Sequence, residues 1–196
     1  MTSPSAPSEA TPLTPEEEAQ LVPSFIKTRD ELNRAEQQAI ADAARVALRR
    51  PPSANRLFDA TYLLGLHKKM FRPVWTWAGK IRTTERNIGV EAWRIRTELQ
   101  QLLDDAHAWV QYDSYPPDEI AVRFHHRLVA IHCFANGNGR HARLAADVLM
   151  RSLGQPVFTW GQRPGVLPDR KRYREALQAM DCDREDVTRL LKFARG

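Results

Sequence analysis

The chain has 196 residues, of which 42% are hydrophobic and 27% charged, with a formal net charge of +5. That length fits one domain with a short appendage, and that composition excludes a wholly disordered chain. No apolar run approaches the roughly 18 residues that span a bilayer, so no membrane association is expected.

The opening stretch, MTSPSAPSEATPLTPEEEAQ, lacks the basic and apolar regions of a secretory signal, which makes a cytoplasmic location the expectation. Pro4, Pro7, Pro12 and Pro15 punctuate it. Proline removes backbone donors, and without an apolar period residues 1–22 are expected to form a mobile tail, with TPEEEAQL as one helical turn at most. Thr28 and Glu31 then have the spacing of a capping box at the head of a helix over 29–49. Pro51 and Pro52 stop it, so residues 23–54 form an N-terminal helical segment ahead of a main domain over 55–196.

Leu57, Tyr62, Leu63 and Leu66 suit one buried side of a helix over 55–70. The segment FRPVWTWAGKIRTTERNIGVEAWRI holds three of the five tryptophans together with Gly79 and Gly89. Its poor helical spacing predicts a short β-hairpin or flap. Helices resume over 95–112, 117–131, 138–152, 168–181 and 184–194, so the fold class is mainly α with one hairpin.

Cys133 and Cys182 lack the spacing of a zinc site or a redox pair. His125, His126 and His132 match no common zinc spacing either. Basic residues are 23 Arg and 6 Lys, with no run of five or more, so nucleic acid is not the expected partner.

The segment IHCFANGNGRHARLAAD carries the chemistry. A helix ends near Ile131, a loop follows at Asn136, Gly137, Asn138 and Gly139, and a new helix begins at about Asn138. Glycines let the backbone turn tightly, and free N–H groups at a helix start attract an anion such as phosphate. Arg140 and Arg143 lie off the apolar stripe of that helix at i, i+3 spacing, suited to clamp phosphate oxygens. Pairing of Arg143 with Asp147 is the competing reading. His132, a few residues earlier, has an ordinary pKa that suits a general base at neutral pH.

These residues resemble the signature of the Fic family: His, usually Pro-Phe, a variable residue, an acid, Gly-Asn-Gly-Arg, two variable residues and Arg. His132, Phe134, Gly137, Asn138, Gly139, Arg140 and Arg143 match it. Cys133 stands where proline is usual, and Asn136 where Asp or Glu is usual. TRDELN, MFRPVWTWAGKIRTTERNIGV, YPPDEIAVRFHHRLVAIH and GNGRHARLAADVLMRSLG further resemble the Fic-type subfamily called mobile mystery protein B, over roughly residues 12–165.

The resemblance implies a Fic-type helical bundle with a hairpin flap, and a protein adenylyltransferase that moves AMP from ATP to a Tyr, Ser or Thr hydroxyl. His132 would be the base. Asn136, Gly137, Asn138, Gly139, Arg140 and Arg143 would bind the nucleotide. The flap residues Arg82, Thr83, Thr84, Asn87, Ile88 and Gly89 would dock the target, and self-modification is a further outcome. Magnesium would accompany ATP, held weakly because Asn136 is neutral. Many relatives are autoinhibited by a glutamate that pairs with the second motif arginine. Glu31 is the expected residue here, with Glu36 as the alternative. A helix-turn-helix companion, mobile mystery protein A, would make a toxin and antitoxin-like pair. The alternative function is a nucleotide-binding regulatory or toxin-like module whose transfer chemistry is weakened or changed by Asn136.

Overall fold

The computed structural model describes residues 13–162 and 169–196; the first twelve residues of the expected tail lie outside them. The helices described are α1 (Pro15–Gln20), α2 (Arg29–Arg49), α3 (Ala54–Leu57), α4 (Ala60–Phe71), α5 (Ile95–Gln111), α6 (Pro117–Ile131), α7 (Asn138–Ser152), α8 (Arg170–Cys182) and α9 (Thr188–Arg195).

The expected tail gives way to structure well before residue 22. Thr14 and Glu17 form a reciprocal capping box on α1, and Arg29 grips the Glu17 carboxylate with two nitrogens at 2.6 and 2.7 Å. Leu21 pairs with Trp75 in an isolated antiparallel bridge. Local caps and one bidentate ion pair thus offset the proline content.

α2 begins and ends where its capping box and prolines place it. The single helix expected over 55–70 is instead two. α3 stops at Phe58, and the Asp59 side chain accepts from the Thr61 N–H at 2.7 Å to start α4, an N-cap that competes with helix continuation. α9 starts four residues later than expected. Asp183 and Asp186 each accept from the backbone two residues on and hold 183–187 in turns.

The centre of the bundle is the pair α6 and α7, with α2, α3 and α4 packed on α7, α5 and α9 on α6, and α8 on α9. Phe124, Ile131, Ala142, Ala145, Leu149 and Met150 fill the seam. Small residues on α7 let α6 approach closely, so the loop joining them, residues 132–137, is anchored at both ends by buried helix.

Candidate active site

α6 terminates on His132 in the left-handed conformation, with φ 56° and ψ 58°. Glycine usually takes that position, so a non-glycine there is strained and is held by its surroundings. Asn138 closes the loop that follows. Its Oδ1 accepts from the Phe134 N–H at 2.9 Å, and its Nδ2 donates to the Phe134 carbonyl at 2.8 Å. Gly137 has φ 79°, and a Cβ there would lie 2.4 Å from the Phe71 ring.

A buried histidine that the sequence reading passed over supports this loop from below. The His67 Nδ1 accepts from the Gly79 N–H at 2.9 Å, so its Nε2 donates to the Asn136 carbonyl at 3.1 Å. The ring stacks on Phe134 with centroids 3.6 Å apart. His141, on α7, bonds the Leu63 carbonyl at 3.0 Å. Burial pushes His67 down to about 3 and His141 to about 4, so both are neutral struts rather than acid–base groups.

No side chain caps α7. The Gly137 N–H is taken up by the Asn136 Oδ1 at 2.7 Å, which corrects the expectation that it is open to a ligand. The backbone donors of Asn138, Gly139 and Arg140 remain, and with Arg143 they line a cleft of ≈ 770 Å³. Arg140 lies over the Phe71 ring at 4.9 Å and Arg143 over the Tyr173 ring at 5.1 Å. Asp147 does not compete for Arg143. It accepts from the Phe158 N–H at 3.2 Å and from Trp160 Nε1 at 3.0 Å, and burial pushes it up to about 7.

His132 is half-buried on the wall of this cleft. Burial lowers its pKa, the Val129 backbone partly opposes that, and the charges of Arg82 and Arg86 lower it further. Its imidazole is therefore neutral at pH 7, as a general base requires. A second groove of ≈ 550 Å³ opens on the other side of His132, between Asn87–Val90, α6 and α8.

The flap over residues 80–91 is drawn onto the loop 132–137 by one bridge, Ile81 to Phe134, and by the Arg82 guanidinium. The Arg82 Nε donates to the His132 carbonyl at 2.7 Å, its Nη1 to Thr84 at 2.9 Å, and its Nη2 to the Val90 carbonyl. With its side chain only 1% exposed, Arg82 cannot dock a target. It positions His132, which corrects its assignment to the docking set. Thr83, Thr84, Asn87, Ile88 and Gly89 are exposed. A Cβ on Gly89 would lie 2.5 Å from the His132 Cβ, so glycine here lets the flap backbone run against the histidine.

Glu31 does not reach the cleft. Its Oε2 accepts from the Lys27 and Thr28 N–H groups at 2.8 and 3.0 Å, and those bonds hold its pKa below the ordinary value. It is the capping-box partner of Thr28 and contacts neither motif arginine, which corrects the first choice of inhibitory residue. Glu36, the alternative, is buried. Its Oε1 accepts from Trp75 Nε1 at 2.6 Å and its Oε2 pairs with Arg140 at 2.6 Å.

The residues do not fit a magnesium site. The Asn136 oxygen is neutral and engaged by Gly137, and Glu36, the carboxylate lining the cleft, is held by Trp75 and Arg140. Among the described residues no three His, Cys, Asp or Glu side chains cluster as metal ligands. His125 bonds the Tyr173 hydroxyl at 3.1 Å and His126 pairs with Asp181 at 2.9 Å. Both cysteines are free thiols, Cys133 buried and Cys182 exposed. No described helix is long and apolar enough to cross a membrane.

A histidine, a helix-start anion site and two arginines on one central helix pair define a Fic-type fold, and residues 57–150 match the model of the Fic/DOC family. That stretch of the chain is a Fic/DOC domain. It is 35% identical over 94 residues to protein adenylyltransferase fic-1 of Caenorhabditis briggsae, a match covering 46% of this chain and 17% of that one. The chain thus spans about a sixth of that relative's length. Among solved structures, the BepC protein of Bartonella tribocorum with bound AMPPNP superposes with a TM-score of 0.69 at 21% identity, covering 90% of each chain. Fic-1 of Caenorhabditis elegans gives a TM-score of 0.62 at 25% identity, covering 91% of this chain and 51% of that one.

Proposed function

We propose that this chain is a protein adenylyltransferase, autoinhibited by Glu36, with ATP as co-substrate. The observation that carries the reading is the place of His132, on the wall common to two grooves. One is lined by arginines and helix-start donors suited to a triphosphate, and the other by an exposed flap suited to an extended peptide. The relatives support it: one is named an adenylyltransferase and another structure holds an ATP analogue.

In this reading a Tyr, Ser or Thr hydroxyl of the target enters from the flap side. His132 takes its proton as the oxygen bonds to the α-phosphorus. The bond from that phosphorus to the bridging oxygen breaks and pyrophosphate leaves, its charge met by Arg140, Arg143 and the α7 donors. Asn138 keeps those donors in place. The exposed flap residues Thr83, Thr84, Asn87, Ile88 and Gly89 pair with the target backbone by strand addition. Magnesium, expected from the resemblance, has no ligand set among the described side chains, and no step here uses it.

A cytoplasmic location, where ATP is abundant, stays part of the proposal. A helix-turn-helix companion protein stays part of the proposal as a partner, and its co-purification with the full chain tests it. In this reading residues 23–54 are the N-terminal inhibitory helical segment, which carries Glu36, and residues 55–196 are the catalytic domain.

The test is incubation of the wild type, Glu36→Gly and His132→Ala with ATP labelled on the α-phosphate. Protein-bound label that rises in Glu36→Gly and disappears in His132→Ala supports the reading. ATP binding without label in any variant instead favours a regulatory nucleotide module, a second reading that rests on the neutral side chain of Asn136.

A further inference from the structure

We propose that Arg170 and Arg174 of α8 supply the positive charge that a divalent cation would otherwise bring to the triphosphate, so that the cleft binds its nucleotide without a metal. This rests on the nucleotide reading above and adds two binding residues to it. Both lie outside residues 57–150, the stretch matched by the family model.

α8 opens on Arg170, Lys171, Arg172, Tyr173 and Arg174, with no acidic residue in its first turn. Cations at a helix N-terminus oppose the helix dipole, and Arg170 and Arg174 face each other at i, i+4 spacing, where like charges repel. Neither finds a carboxylate within the fold among the described residues. The α8 acids that form ion pairs, Glu175 and Asp181, go to Lys171 and His126. A local electrostatic cost without an internal partner marks a place where the sequence serves something other than stability.

What the two arginines face is the cleft. Arg170 and Arg174 line it together with Arg140 and Arg143, which lies over Tyr173 of α8, so four guanidiniums share the cleft with Glu36 as its carboxylate. Arg174 also lines the groove on the flap side of His132, which puts it where the two grooves meet and the phosphate would be transferred. Guanidinium stays charged at every working pH and bonds phosphate oxygens in pairs. The cation that neutral, engaged Asn136 does not recruit thus has a substitute in two guanidiniums lining the same cleft.

Calorimetric titration of the full-length Glu36→Gln chain with ATP and with adenosine, in excess EDTA and then in excess magnesium, tests this. The expected result is an ATP affinity that differs by less than about threefold between the two buffers. Arg170→Ala/Arg174→Ala should weaken ATP by about tenfold or more while leaving adenosine unchanged, and Arg174→Lys in place of Arg174→Ala should restore part of the loss. The double variant should melt no lower than its parent, because a repulsion is removed. Asn136→Asp should make ATP binding depend on magnesium. ATP binding that is lost in EDTA, or that is unchanged in the double variant, would overturn the proposal and leave the nucleotide site standing. No ATP binding in either buffer by the Glu36→Gln chain would overturn the nucleotide reading itself.

Discussion

Glu36 and Arg140 are 104 positions apart in the chain and 2.6 Å apart in the fold. The carboxylate reaches the first motif arginine rather than the second, and Trp75 holds it there through its other oxygen. An arginine so engaged is not free to meet a phosphate, and the partly buried pair is not screened as a surface pair would be.

Replacing Glu36 by glycine should therefore raise ATP affinity and self-labelling, by about tenfold or more if one charge-assisted bond to phosphate is regained. Glu31→Gly should leave both unchanged. It should instead lower the melting midpoint through loss of the α2 cap and of helix propensity. Titration and thermal melts of the two variants separate these effects.

Arg82→Met should destabilise the fold by about 3 kcal/mol, since it leaves the carbonyls of His132, Thr84 and Val90 without their donor. Arg82→Lys should recover only part, because one ammonium cannot match the fork of a guanidinium. Urea unfolding reads the stability, and labelling should fall with it as His132 loses its anchor.

Gly89→Ala should act on activity more than on stability. Its φ of 95° and the 2.5 Å approach to the His132 Cβ force the flap or the histidine to move. A displacement of about 1 Å at the base costs roughly 10²-fold in rate, whereas the backbone strain costs about 1–2 kcal/mol. Initial rates beside a melt would show the split, and an unchanged rate would count against His132 as the base.

Stability should fall as pH drops below about 6.5. His67 and His141 take protons only near 3 and 4 when folded but near the ordinary value when unfolded. The unfolded chain therefore binds more protons below 6.5, and each ring removes up to about 1.4 kcal/mol per pH unit on the way down. Asp147, pushed up to about 7, works in the opposite direction because the folded state binds its proton first. Two histidines outweigh one aspartate, so melting midpoints at pH 5 should lie below those at pH 7. The acid limb of the labelling rate should sit below pH 6.5, since the His132 pKa is lowered.

The sequence reveals most where its signals are local. A capping box and two prolines bound α2 at both ends, and His132, Gly139, Arg140 and Arg143, close in sequence, line one cleft. Glu36 and His67 escape such reasoning because their partners are far along the chain. Each nonetheless leaves a trace. Glu36 interrupts a buried stripe of Leu32, Ala39, Ala43 and Ala47 on α2, and His67 sits within Leu63, Leu66, Met70 and Phe71 on α4. A polar residue inside an apolar stripe needs a partner, and here both partners belong to the motif. Arg82 had no such trace, because an irregular segment has no period to tell inward from outward.

Position in the chain gives Glu36 one further property. A ribosome makes α2 about a hundred residues before it makes Arg140, and chains emerge N-terminus first. The carboxylate is already made when the motif helix is synthesised, so no nascent molecule has a finished cleft without the Glu36–Arg140 pair within reach. Under the proposed autoinhibition, the block is therefore in place from the first folded copy, and its release depends on a later event acting on α2.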